Sequence, residues 1–132
     1  MQKTEQARIE VNNLIEEAAE ILEPCIKCGM CKSRCGVFKV LKEEAVSPRG
    51  HAISLSNKIL DKLVFECNLC KACEAKCPVN VKVCDAIKNA REAMNLKNKE
   101  LATNNEMIEN IRKTGSPFGK EGVKDKDKLY CC

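Results

Sequence analysis

Apolar side chains recur at helical spacing from the start of the chain. Val11, Leu14, Ile15, Ala18 and Leu22 fall on one face, and Glu16, Glu17 and Glu20 on the other. This predicts an amphipathic helix from about Thr4 to Glu23, ended by Pro24 because the residue before a proline is pushed out of the helical region. Val37 to Leu41 reads as a short apolar turn. Ser47-Pro48 predicts a second helix start, with the serine as N-cap and the proline at the first helical position. Ala52, Leu55, Ile59 and Leu63 carry the helical spacing onward from it. A third helix is expected from about Val81, with Val83, Ile87, Ala90 and Met94 as its apolar stripe. Thr103 and Glu106 stand in capping-box relation ahead of Met107, Ile108 and Ile111, and Gly115 supplies a stop. No stretch alternates at period two, so the expected fold class is all-α.

The stripes are built from small side chains, and composition sharpens that point. Of 132 residues, 44% are hydrophobic but only 3% are aromatic, and Trp is absent. A core this thin needs a covalent or metal staple. The 11 cysteines are the candidates. Such density arises in secreted disulfide scaffolds or in metal ligation within a reducing compartment. The N-terminal run is polar, carries acids throughout and lacks the apolar core of a secretory signal. The cysteine count is odd, which suits a disulfide framework poorly. No stretch approaches the ~20 apolar residues of a membrane span. A cytoplasmic chain without membrane insertion is therefore expected.

The spacing of the cysteines then singles out one chemistry. Cys25, Cys28, Cys31 and Cys35 recur 42 positions later as Cys67, Cys70, Cys73 and Cys77. Each run is C-x2-C-x2-C-x3-C. Three closely spaced thiolates can take three corners of one iron–sulfur cube, while the fourth completes the other. The expectation is two [4Fe–4S] clusters. Cys25, Cys28, Cys31 and Cys77 would hold one, and Cys67, Cys70, Cys73 and Cys35 the other. Such crossing would tie the halves of the chain together and make folding depend on the metal. The competing reading is a pair of zinc sites, which usually set two C-x2-C pairs a dozen or more residues apart.

Smaller features surround these runs. Gly29 would let the backbone wrap around inorganic sulfide, and Pro78 would fix the exit after Cys77 and start the next helix. Cys84 reads as a small buried hydrophobe, and Cys131 and Cys132 are assigned to neither cluster. His51, the single histidine, reads as a solvated or packing residue, with a place near a cluster as the alternative. The formal charge of +4 comes without a basic patch or stacking aromatics, which argues against nucleic-acid binding. Eight thiolates and two oxidised clusters would bring the loaded protein to roughly zero charge. No G-x-G-x-x-G or P-loop occurs, and no catalytic set assembles around one histidine.

The stretches CIKCGMCKSRC, SPRGHAISL and CNLCKACEAKCPVNV resemble the α-helical ferredoxin domain over about residues 20–118. That domain occurs in succinate dehydrogenase iron–sulfur subunits, the C subunit of heterodisulfide reductase and the iron–sulfur subunits of glycolate and lactate oxidation systems. The resemblance is nearest to the last group and to the D subunit of heterodisulfide reductase. One departure is Cys35-Gly36, where relatives usually have Cys-Pro. In longer relatives a segment like TGSPFGK leads into a cysteine-rich CCG domain, near the place of LYCC here. The resemblance implies a dicluster domain over residues 1–118 and a charged tail over 119–132. It implies an electron-transfer subunit, not catalytic alone, serving a CCG-domain catalytic subunit with a flavoprotein or hydrogenase-type donor. The alternative is the iron–sulfur subunit of a glycolate or lactate dehydrogenase complex. A redox or iron sensor is a third reading, and the DNA-binding helix pair it needs is not seen.

Overall fold

The computed structural model describes residues 2–99 and 101–119, and the expected tail from Lys120 onward, with Cys131 and Cys132, lies outside the described residues. Every regular element among the described residues is helical, so the fold is all-α. The α-helices are α1 (Gln2–Leu22), α2 (Gly36–Leu41), α3 (Pro48–Ser56), α4 (Ala72–Ala75), α5 (Val83–Leu96) and α6 (Ala102–Thr114). Short 3-10 turns cover Met30–Arg34, Glu44–Val46 and Lys62–Glu66. The chain divides into two compact units, the first running to Lys99.

In the first unit α1 packs chiefly along α5 and secondarily against α3. Val11, Ala18 and Leu22 of α1 are buried, as are Val83, Ala86, Ile87, Ala90 and Met94 of α5. Ala86 and Ala90 are fully shielded, and side chains this small let two helices approach closely. Ala52 and Leu55 of α3 and Val64 complete the cluster, with Cys73 and Cys84 packed into it. Full burial of Leu22, Leu55 and Ile87 is worth about 1.5–3 kcal/mol each. With so few large side chains, that core is modest.

The cap expected at Ser47 is present: its hydroxyl accepts from the Gly50 amide at 2.9 Å, with Pro48 in the first turn. The spacing that runs through Ile59 and Leu63 does not extend this helix. It stops at Ser56, because Lys58 takes a left-handed conformation at φ 58°. The Ile59 amide then reaches back to Ser54 O at 2.9 Å and the Lys58 amide to Leu55 O at 2.9 Å, the bonding of a Schellman stop. Ile59 is left 57% exposed. The apolar turn after Cys35 is the helix α2, with Val40 and Leu41 exposed. Pro78 does not start α5: a turn with Asn80 at φ 53° intervenes, and the helix begins at Val83.

In the second unit α6 begins at Ala102, so Thr103 lies inside it and no side-chain cap forms. Gly115 ends it at φ 73°, its amide donating to Ile111 O at 2.9 Å. Met107 and Ile111 are exposed and no α6 residue is buried. No helix among the described residues is long and apolar enough to cross a membrane.

Candidate metal centres

The internal repeat extends from the residue types to the backbone. Lys27 and Leu69, each just before the second cysteine of its run, have φ 58° and 53°. Gly29 and Lys71, each just after it, have φ 79° and 60°. Left-handed residues are uncommon outside glycine. Two such pairs at the same register mean that both runs fold the same tight loop. A short helical segment follows each, Met30–Arg34 in the first run and Ala72–Ala75 in the second.

The loops curl their thiols around two cavities. Cys25, Cys28 and Cys31 line the first, joined from the other run by Cys77 and Cys73. Cys67, Cys70 and Cys73 line the second, joined by Cys35 from the first run. Pro48, Cys73 and Val83 line both, so the cavities adjoin. Backbone amides already point at three of the sulfurs. Phe38 N–H donates to Cys35 Sγ, Leu69 N–H to Cys67 Sγ and Val81 N–H to Cys77 Sγ, each at 3.4 Å. Cys28 and Cys70, the second cysteines of their runs, are exposed.

Electrostatics repeat the grouping. Burial pushes the Cys31 thiol up, and Cys25, Cys28 and Cys77 add to the rise. Burial also raises Cys67; the Leu69 amide and Arg91 oppose it, while Cys35 and Cys70 reinforce it. Cys73 is pushed up to about 12, mainly by burial and then by Cys84 and other neighbours. Thiols that raise one another stay protonated until a cation takes them, so metal loading must release protons.

This donor set fits an iron–sulfur cube. Each cavity is lined by five cysteines, with Cys73 common to both, and among the described residues no carboxylate lines either, which disfavours hard cations such as calcium or magnesium. A lone zinc ion would need its sulfurs roughly 3.8 Å apart, given Zn–S bonds of about 2.3 Å. Among the described residues, no three Cys, His, Asp or Glu side chains converge closely enough for a single ion.

Three residues at these cavities carry more than their sequence pattern suggests. Cys84 is buried as expected, yet it also lines the second cavity as a fifth thiol. Its amide donates to the buried Glu74 carboxylate at 2.8 Å. His51 is not solvated: it is buried and lines the second cavity. Burial, and then the charge of Arg91, pull its pKa down to about 4. Arg91 belongs to no motif that singles it out. From α5 its guanidinium donates to Val64 O at 2.9 and 2.8 Å, to Phe65 O at 3.3 Å and, by a short bond, to Cys67 O. Its position between Ile87 and Met94 on the apolar stripe is the one available signal.

The Arg91 fork ties down the backbone that enters the second cysteine run. Arg91→Leu should leave three carbonyls without this donor and cost about 2–4 kcal/mol. Arg91→Lys should recover little, since an ammonium lacks the planar fork. Thermal loss of visible absorbance from the anaerobic protein would measure this. Unchanged stability in the leucine variant would rule the clamp out.

Residues 21–81 match the family described as "4Fe-4S dicluster domain", and that segment contains all eight cysteines of the two runs. Two 4Fe–4S clusters are the cofactor of such a segment. The glycolate oxidase iron-sulfur subunit of Escherichia coli is 32% identical over 90 residues, covering 61% of this chain and 21% of that protein. The C subunit of the H(2):CoB-CoM heterodisulfide,ferredoxin reductase from Methanothermobacter thermautotrophicus is 30% identical over 78 residues, covering 53% of this chain and 39% of that protein. The corresponding subunit of Methanothermobacter marburgensis matches equally. The chain therefore spans well under half the length of these curated relatives.

Proposed function

We propose that this chain, with its 4Fe–4S dicluster segment at residues 21–81, is an electron-relay subunit of an oxidoreductase complex. Its partner would carry the substrate site, as in a heterodisulfide reductase-like assembly. The observation that carries the reading is the pair of adjoining cysteine-lined cavities, which share Pro48, Cys73 and Val83 as lining. Clusters bound there supply one-electron redox steps, at potentials set by charge, hydrogen bonds to sulfur and exposure.

The proposed ligands are Cys25, Cys28, Cys31 and Cys77 for the first cluster and Cys67, Cys70, Cys73 and Cys35 for the second. The grouping of the thiols around the cavities supports this assignment. The chain's own residues hold the sulfurs, keep bulk water from their inner faces and direct backbone N–H groups at them. Exposed Cys28 and Cys70 leave each site an opening toward a partner. Around the first cavity Ile26 is 64% and Val79 41% exposed, an apolar rim suited to transient docking.

A second reading is favoured by the Escherichia coli relative: the chain would serve a flavoprotein that oxidises a 2-hydroxy acid. Anaerobic co-purification decides between them. Recovery with a heterodisulfide reductase-type subunit supports the first, and recovery with a glycolate oxidase-type flavoprotein supports the second. Removing residues from Lys120 onward should leave the iron content unchanged. Iron loss on that truncation would bring Cys131 or Cys132 into the ligand set.

A further inference from the structure

We propose that His51 donates a hydrogen bond from Nε2 to a sulfur of the cluster held by Cys35, Cys67, Cys70 and Cys73, raising that cluster's reduction potential. This rests on the dicluster reading and its ligand sets. His51 is 3% exposed and lines the cavity those four cysteines surround. Its Nε2 is buried and has no hydrogen-bond partner among the described residues. A buried polar nitrogen without a partner loses its bonds to water and gains none in return, so such an atom calls for an explanation.

Val46, Val83 and Ile87 of that wall are apolar, and Asn68 is the one lining side chain with an oxygen acceptor. His51 Nε2 makes no bond to it, and the other acceptors among the lining side chains are cysteine sulfurs. The backbone that carries the imidazole is held in place. The His51 amide donates to Ser47 O at 2.9 Å, and Ser47 caps the same turn through Gly50. Among the described side chains, Arg49 Nε is the other buried nitrogen without a partner, and Arg49 lines the first cavity. Its side chain, however, is 38% exposed and lies 3.9 Å from the Glu44 carboxylate, so it has solvent and an ion pair to draw on. His51 has neither.

The sign of the effect follows from charge. Reduction adds an electron to the cube and its sulfurs. An N–H dipole aimed at sulfur stabilises the more negative state, so it raises the potential. His51 is then a positioning residue for the redox couple.

Because His51 is the only histidine, labelling with 15N-histidine reports on it alone. Pulsed electron paramagnetic resonance of the reduced, labelled protein should show a weak 15N coupling to the second cluster. A strong coupling of a directly bonded nitrogen would overturn the proposal in favour of ligation, and no coupling would overturn it outright. In redox titration, His51→Leu should shift the reduced-to-oxidised ratio of the second cluster about tenfold toward oxidised, ~59 mV for a one-electron couple. The first cluster should not move, and His51→Gln, which keeps an N–H donor, should restore part of the shift. An unmoved potential in the leucine variant would also sink the proposal. If the leucine variant fails to load, the coupling in the unaltered protein decides. Iron analysis of each sample separates the two failures. Two clusters without coupling or shift refute only the role of His51. Fewer than two refute the dicluster reading, and this proposal with it.

Discussion

Cys77→Ser is expected to abolish the cluster built mainly from the first cysteine run and to remove about half of the iron, four of the eight atoms in two cubes. Cys77 lies in the second run, so proximity along the chain would assign it to the other cluster. Its thiol nevertheless lines the cavity of Cys25, Cys28 and Cys31, and adds to the rise in the Cys31 pKa. The Val81 amide donates to its sulfur at 3.4 Å, which fixes the side chain on that side. A serine hydroxyl is a harder and far less acidic donor than a thiol, and a cube with three thiolates is readily lost. Cys35→Ser should do the reciprocal damage, to the cluster of Cys67, Cys70 and Cys73. Iron content and the paramagnetic spectrum of each reduced variant check both. Damage by Cys77→Ser confined to the second-run cluster would overturn the crossed assignment.

Gly50→Ala is expected to destabilise the protein by about 3 kcal/mol or more, at or beyond the upper end of ordinary overpacking. Two effects compete at this position. Gly50 is helical, and Ala in a helix interior is favoured over Gly by roughly 1 kcal/mol. Against that, a Cβ at Gly50 would fall 2.0 Å from Glu44 O, 2.9 Å from Glu44 C and 3.0 Å from Ala45 Cα. Those are backbone atoms, which cannot swing aside as a long side chain can. The α3 start would have to lift off the Glu44–Val46 turn, and it carries Pro48, a residue shared by both cavities. Both clusters should therefore become labile. The sign of the change is diagnostic. A higher melting temperature for Gly50→Ala would mean that helix propensity wins and the close approach does not matter.

The helical stripes were legible because their period is simple. Val83, Ile87, Ala90 and Met94 are all buried on α5, and Val11, Ala18 and Leu22 on α1. The stop of α3 was not, since a left-handed lysine replaces the usual glycine signal and the apolar spacing runs straight past it. Thr103 misled for the opposite reason: a good capping pattern sits inside a helix that starts earlier. At the metal centres, the eight cysteines announce themselves by spacing. The side chains that support them do not. Gly50 reads as a helix glycine until the neighbouring turn is seen to touch it, and Arg91 reads as one more surface charge until its carbonyl partners appear. Such roles depend on pairs of residues distant along the chain or on turns whose approach no local pattern encodes.

Anaerobic iron and sulfide analysis, with electron paramagnetic resonance of the reduced protein, tests the central claim most directly. The account predicts about eight iron and eight sulfide per chain, and signals from two clusters close enough to interact. A colourless protein holding zinc, or one whose thiols are paired as disulfides, would contradict it.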